Sequence, residues 1–182
     1  DRRVVVDASL DRARIMSEDI ARDVPAVARC LEGTLSADAA ARASASEAIE
    51  RCGSFPGFAG TLAKIALSPD AAEASTRQLS AVLLKKHVRE HWNARDRGFV
   101  PPELTEVEKA ELKAVLPSGL ADGWSKMRTA FAAAIAQTVT SDGQIWDELT
   151  ARLVDGIRAK RSREEVLGCL KCYEIIAGDV DA

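Results

Sequence analysis

A chain of 182 residues with 25 basic and 28 acidic side chains, a net charge of −3 and only 4% aromatics can bury one good core or divide into smaller units, and its alanine-rich make-up favours closely packed helices over a β-sandwich. The near balance of charge argues against a domain built to bind nucleic acid, and no apolar run approaches the roughly 20 residues of a membrane span. Cys30, Cys52, Cys169 and Cys172 each lie in a helical apolar pattern rather than in the loops of a secreted disulfide framework, which points to a reducing compartment.

In chain order, Ser9 to Arg22 reads as a weakly amphipathic stretch, making residues 1–22 an N-terminal extension or helix. Val4-Val5-Val6 is the one strand-like run and is too short to build on. Asp23 and Pro25 open a helix carrying Val27, Cys30, Leu31 and Leu35, since proline suits the first turn. Ser36 is expected to cap an alanine-rich helix that stops at Cys52-Gly53. Residues 56–67 place Phe58, Leu62, Ile65 and Ala66 at helical spacing, and Ser68-Pro69-Asp70 separates them from a helix that runs to Trp92.

Asn93 to Leu104, with Gly98 and Pro101-Pro102, is a long connection. Thr105-Glu106-Val107-Glu108 is a capping box for the next helix, which Pro117-Ser118-Gly119 kinks or ends. A helix over 121–139 turns Trp124, Met127, Phe131, Ile135 and Val139 inward. After a turn at Ser141-Asp142-Gly143 comes a helix with Ile145, Leu149, Leu153 and Ile157. Ser162-Arg163-Glu164-Glu165, a second capping box, opens the last helix through Ile176.

The segment 77–92, RQLSAVLLKKHVREHW, is apolar on two sides. Wound at about 100° per residue, Ala81, Leu84, Val88 and Trp92 form one stripe and Leu79, Val82 and Leu83 another. Gln78, Lys85 and Arg89 form one polar edge between them; Ser80, His87 and His91 form the second. Eight helices taken in pairs repeat at about 40–48 residues, the length of a HEAT or armadillo unit. In a solenoid an inner helix is covered by the repeats before and after it, which accounts for two apolar sides. The pattern therefore predicts an all-α, right-handed α-α superhelix of about four hairpins.

Three motifs invite chemical readings. His87-Val88-Arg89-Glu90-His91 has the H-x-x-E-H order of an inverted zinc peptidase, but a catalytic zinc needs a third protein ligand, and none stands out. The expectation is two partly exposed histidines near a helix end. Cys169-Leu170-Lys171-Cys172 lies inside a helix, away from the N-terminal setting that activates a thiol. These cysteines read as small packing residues. Lys160-Arg161-Ser162-Arg163 is short for a targeting cluster and reads as a solvated turn. With no P-loop, dinucleotide fingerprint or nucleophile elbow, the sequence suits a binding protein rather than an enzyme.

Arg77-Gln78-Leu79-Ser80-Ala81-Val82-Leu83-Leu84-Lys85, followed by Trp92, resembles the second repeat of the importin-β family of nuclear transport receptors, where an arginine, a small residue and a Leu/Ile-Lys pair mark the inner helix. The likeness takes in the capping-box helix with Lys109, the Leu116-Pro117-x-Gly119-Leu120 break and Lys126-Met127-Arg128, while Ala40 to Ile49 fits the first inner helix in pattern. The family's fourth repeat commonly opens with an Asp, a proline, a tryptophan and another proline. Here Asp142 and Trp146 stand without the prolines.

The resemblance implies HEAT repeats 1–4 over residues 23–182, within a longer array. It implies that the GTP form of the small GTPase Ran docks on the concave face, with Lys85 as a contact and Arg89, Arg77 and Arg128 as further candidates. Basic cargo such as core histones and ribosomal proteins, nucleoporins bound mostly elsewhere on the array, and shuttling between cytoplasm and nucleus come with it. No cofactor, metal, membrane or direct nucleic-acid contact is implied. A HEAT or armadillo scaffold without Ran is the alternative.

Overall fold

The computed structural model describes residues 18–70 and 72–180, and within them the chain is helical throughout, without strands. After a helical turn at 18–22 come eight α-helices: α1 (Val24–Thr34), α2 (Ala39–Cys52), α3 (Phe58–Leu67), α4 (Ala74–His91), α5 (Glu106–Val115), α6 (Ser125–Asp142), α7 (Asp147–Ala159) and α8 (Arg163–Val180). A 3₁₀ helix, Leu116–Ala121, joins α5 to α6. Successive helices pair as hairpins, α1 with α2, α3 with α4 and α7 with α8, while α5 reaches α6 through the 3₁₀ segment. The second members stack in turn, α4 on α6 and α6 on α8. This is the HEAT-like helical solenoid that the repeat length predicts.

Local signals explain most boundaries. The Asp23 carboxylate accepts from the Ala26 N–H at 3.1 Å, just before Pro25 in the first turn of α1. The capping box of α5 is complete: the Thr105 hydroxyl accepts from the Glu108 N–H at 3.3 Å, and the Glu108 carboxylate accepts from the Thr105 N–H at 3.1 Å. Gly143, at φ 75°, ends α6 in the left-handed conformation glycine tolerates. At the end of α4 the long connection folds back, and the N–H groups of Val100 and Leu104 bond to the carbonyls of Glu90 and His91 at 2.7 and 2.8 Å. Those carbonyls would otherwise lack partners.

Several expectations need correction. The cap of α2 is Asp38, whose carboxylate accepts from the Ala40 N–H at 2.9 Å; Ser36 supports it by accepting from the Asp38 N–H at 3.2 Å. Only half of the second capping box forms. Ser162 accepts from the Glu165 N–H at 3.0 Å, but the buried Glu165 carboxylate turns to Arg161 and Arg152. Arg161 is thereby held between Glu165 and Asp155, both of which raise its pKa, rather than left free in a solvated turn. Leu35 and Ile145 lie exposed beyond helix ends, and α6 starts at Ser125 because residues 116–121 wind as 3₁₀. Val4-Val5-Val6 and most of the expected N-terminal extension lie outside the described residues.

One core runs from Val27 and Leu31 through Leu62, Ile65, Leu84, Trp92, Leu112, Phe131 and Ile135 to Leu149 and Cys172. The 3₁₀ segment is pressed into it, packing on α5, α6 and α8. A Cβ added to Gly168 would overlap the Leu120 carbonyl, so only glycine allows α8 this close to the segment. The exposed Leu167, Leu170 and Tyr173 lie on the outer side of α8.

Candidate functional site

Helix α4 meets different surroundings around its circumference. Arg77, Ser80 and His87 face α3: the Arg77 Nε–H donates to the Ala66 carbonyl at 3.1 Å, the Ser80 hydroxyl to the Leu62 carbonyl at 2.9 Å, and His87 meets Phe58 edge-on at 5.5 Å. Ala81, Leu84, Val88 and Trp92 are buried as expected. The second stripe is not. Val82 is 53% exposed, and Leu79 and Leu83 are only half-buried along an open groove of about 460 Å³ beside α2. The supposed polar edge with Ser80, His87 and His91 is instead packed against α3 and the long connection. The Leu62 carbonyl of α3 takes the Ser80 hydroxyl, the Pro102 carbonyl of the connection meets His91, and His87 packs on the Phe58 ring, so these polar groups can be buried.

The candidate cations divide into two kinds. Arg77 is buried and committed, its guanidinium bonding to Asp122 as well as to Ala66. Arg128 is half-buried and donates to the carbonyls of Asp122 and Gly123 at 2.7 and 3.1 Å. Lys85 and Arg89 are exposed. Among the described residues Lys85 has no ion pair, and Arg89 reaches only its neighbour Glu90, at 3.5 Å. One turn apart on a helix, these two cations repel each other, which typically costs about 0.2–0.5 kcal/mol. Thus α4 offers a bare basic edge, with the exposed Val82 one turn before Lys85.

Two carboxylates hold this edge in place: Asp122, which no sequence motif singles out, and Asp142, which the sequence places only in a turn and in the family's fourth-repeat pattern. Asp122, 45 residues after Arg77, takes that guanidinium and also accepts from the Trp124 N–H at 2.8 Å. Asp142 accepts from the Trp92 indole N–H at 3.2 Å and from the Lys113 ammonium at 2.7 Å. That ammonium lies 5.7 Å from the Trp92 ring and 5.6 Å from the Trp146 ring, within cation–π range of both. Asp122 thus ties the start of α4, and Asp142 its end, to the third hairpin.

Residues 45–122 match the family model for the importin-beta N-terminal domain. The match supports the importin-β family. Members of that family are nuclear transport receptors that shuttle between nucleus and cytoplasm. The importin-beta match contains Arg77, Lys85, Arg89 and Asp122, and Arg128 falls outside it.

Within that importin-like segment the motif histidines are structural. His87 and His91 are buried, not partly exposed as expected, with ring centroids 4.1 Å apart. The His91 Nδ1 lies 3.0 Å from the Pro102 carbonyl; a carbonyl can only accept, so this nitrogen carries the proton. Burial, then the neighbouring His91 and Lys86, pulls the His87 pKa down from 6.5 to about 3. Among the described residues no group of three or more His, Cys, Asp or Glu side chains is placed to hold a metal. Cys169 and Cys172 are buried too, and burial pushes the Cys172 thiol up to about 12. Such a thiol is a poor nucleophile.

Proposed function

We propose that this chain binds the GTP form of Ran through the basic edge of α4, as part of a nuclear import receptor. The carrying observation is that Lys85 and Arg89, inside the segment matching the importin-beta N-terminal domain, are exposed and have no cross-helix partner among the described residues, while Arg77 is consumed by Asp122. Lys85 is the principal contact. Arg89 stands beside it, Arg128 is a weaker candidate, and Arg77 acts mainly by holding the edge. The role is binding rather than catalysis: the histidine and cysteine motifs are spent on packing.

Residues 77–92 and 99–137 resemble importin-9 in register, and on that resemblance we infer basic cargo, core histones and ribosomal proteins foremost. Nucleoporins would bind mostly elsewhere, and the receptor would shuttle between cytoplasm and nucleus. No cofactor, nucleic acid or membrane enters this reading.

The test is a pull-down with Ran carrying a non-hydrolysable GTP analogue against Ran–GDP, with the wild type and Lys85→Glu. The wild type should retain only the GTP form. Reversing an interfacial charge that meets a desolvated partner removes about 2–5 kcal/mol, so Lys85→Glu should bind well over tenfold more weakly. Its melting temperature should hardly move, because Lys85 is exposed and has no ion pair among the described residues. Equal retention of both nucleotide forms, or of neither, would favour a repeat scaffold without Ran; an unaffected variant would reduce the edge to a solvated face.

A further inference from the structure

We infer that α2 is a movable wall: it pivots on α1 and opens or closes the groove over Leu79 and Leu83, while α4 and α6 move as one body. This rests on the packing of α2 and holds with or without Ran as the partner.

The attachment of α2 is one-sided. Its substantial packing partner is α1, and its buried residues are Ile49 and Cys52. Among the described residues every polar tie of α2 is local. Arg42 donates to the carbonyls of Ser36 and Ala37, both at 2.8 Å, and Arg51 pairs with Glu47 along the helix at 3.8 Å. No hydrogen bond or ion pair among those residues joins α2 to α4. The hairpin is anchored instead through α1, which buries Val27, Ala28 and Leu31 and packs on α3 and α4.

The α1–α2 crossing is built for rotation. A Cβ added to Gly33 would come within 2.9 Å of the Ala45 Cβ, so the helices touch closely at that point. The flanking residues of α2 are largely alanine and serine, which raise no ridges to interlock with a neighbour's grooves and select one crossing angle. Across the gap the groove between α2 and α4 has Ile49, Phe58, Leu79, Leu83 and Val100 in its lining. Water-exposed apolar walls favour closure through area removed from water. Ser46 and Glu50 of α2 and Lys86 and Glu90 of α4 also line the groove, but among the described residues no hydrogen bond or ion pair spans it to fix the distance. Hinge motion of a packed element requires such a combination of one firm attachment and one unlatched face.

The experiment places nitroxide labels at Ser46→Cys and Lys86→Cys, across the groove, and at Arg89→Cys and Thr140→Cys, across α4 and α6. The background is Cys30→Ala, because Cys52, Cys169 and Cys172 are buried. Pulsed dipolar spectroscopy on the free protein should give a distance distribution about twice as wide for the first pair as for the second, the spread of a collective motion slower than side-chain hopping. Leu83→Phe, which fills the groove, should narrow the first distribution and leave the second alone. Hydrogen exchange should show the α2 amides protected while the distances spread. Equal widths, or a first width indifferent to Leu83→Phe, would overturn the pivot. So would rapid exchange along α2, which would mean unravelling rather than rotation.

Discussion

The two junctions made by α4 are built differently. Towards α6 it is latched at both ends, by Arg77 on Asp122 and by the Trp92 indole on Asp142, around a buried apolar stripe. Towards α2 it presents half-buried leucines to an open groove with no polar tie among the described residues. Side-chain packing supplies most of the energy in both places, but polar latches add direction. A leucine can slide over an alanine, whereas a buried carboxylate facing a guanidinium has one good geometry. The basic edge therefore belongs to the rigid side, and the groove beside it to the adjustable side.

The tight side is best broken at Trp92. Its ring is 1% exposed and spans from the end of α4 to Asp142, so Trp92→Ala removes the largest buried side chain of the junction. It also leaves Asp142 with Lys113 alone. A loss of about 3–5 kcal/mol is expected, read as a lower urea midpoint with an unchanged slope. A variant as stable as the wild type would show that the junction does not depend on this ring. Trp92→Phe should recover part of the loss, because it keeps one buried ring while lacking the indole's second ring and its N–H bond to Asp142.

Asp122→Ala is the next test of the same side. Arg77 and Asp122 are about nine-tenths buried, and removing one partner of such a pair leaves an unpaired buried charge, worth roughly 3 kcal/mol. Asp122→Asn keeps an acceptor for the Trp124 N–H and should lose less. Thermal melts of both variants decide it: equal losses would mean that the charge carries the whole effect, and an Asp122→Asn variant as stable as the wild type would mean that the charge itself contributes nothing.

Acid should loosen the floor shared by the two sides. His87 is held neutral in the folded chain, with a pKa of about 3 against its ordinary 6.5, so the unfolded chain binds the extra proton in between. That contribution is complete above pH 6.5. It is lost as pH falls below 6.5, at about 1.4 kcal/mol per unit, and levels off near pH 3. Phe58 and His91 pack on His87 and Lys86 lies beside it, while the carboxylates Glu50 and Glu90 line the same groove without bonding to it. Between pH 7.5 and 5.5 the melting temperature should fall, and His87→Phe, which keeps a ring against Phe58, should flatten that fall. An equally steep decline in the variant would assign it to another group.

What the sequence made legible was local. The Thr105–Glu108 box, the Asp23–Pro25 opening and the Gly143 stop each lie within a few residues of what they control, so spacing alone reveals them. Trp92 was legible as a buried anchor because its stripe is wholly apolar. Asp122 and Asp142 were not legible as latches, since their partners lie 45 and 50 residues away and no short pattern links them. The histidines were misplaced for a related reason: a helical wheel separates polar from apolar residues but does not show that a carbonyl or an aromatic edge waits on the neighbouring helix. The wheel also found the Leu79 stripe without showing whether anything covers it.

That last distinction gives the smallest and sharpest comparison, two leucines on one helix. Leu84 is fully buried, while Leu79 is half-buried at the groove. Both lose the same atoms on substitution with alanine, and helix propensity changes equally in the two cases. Any difference therefore comes from surroundings. Leu84→Ala opens a cavity inside a latched junction that cannot collapse, at about 2–5 kcal/mol. Leu79→Ala only widens a space already open to water and forfeits a fraction of one side chain's burial, about 1 kcal/mol or less. Chemical denaturation of the two single variants measures the gap directly. If Leu79→Ala proves as costly as Leu84→Ala, α2 rests on that stripe in solution, and the loose side of α4 is as tightly closed as the latched one.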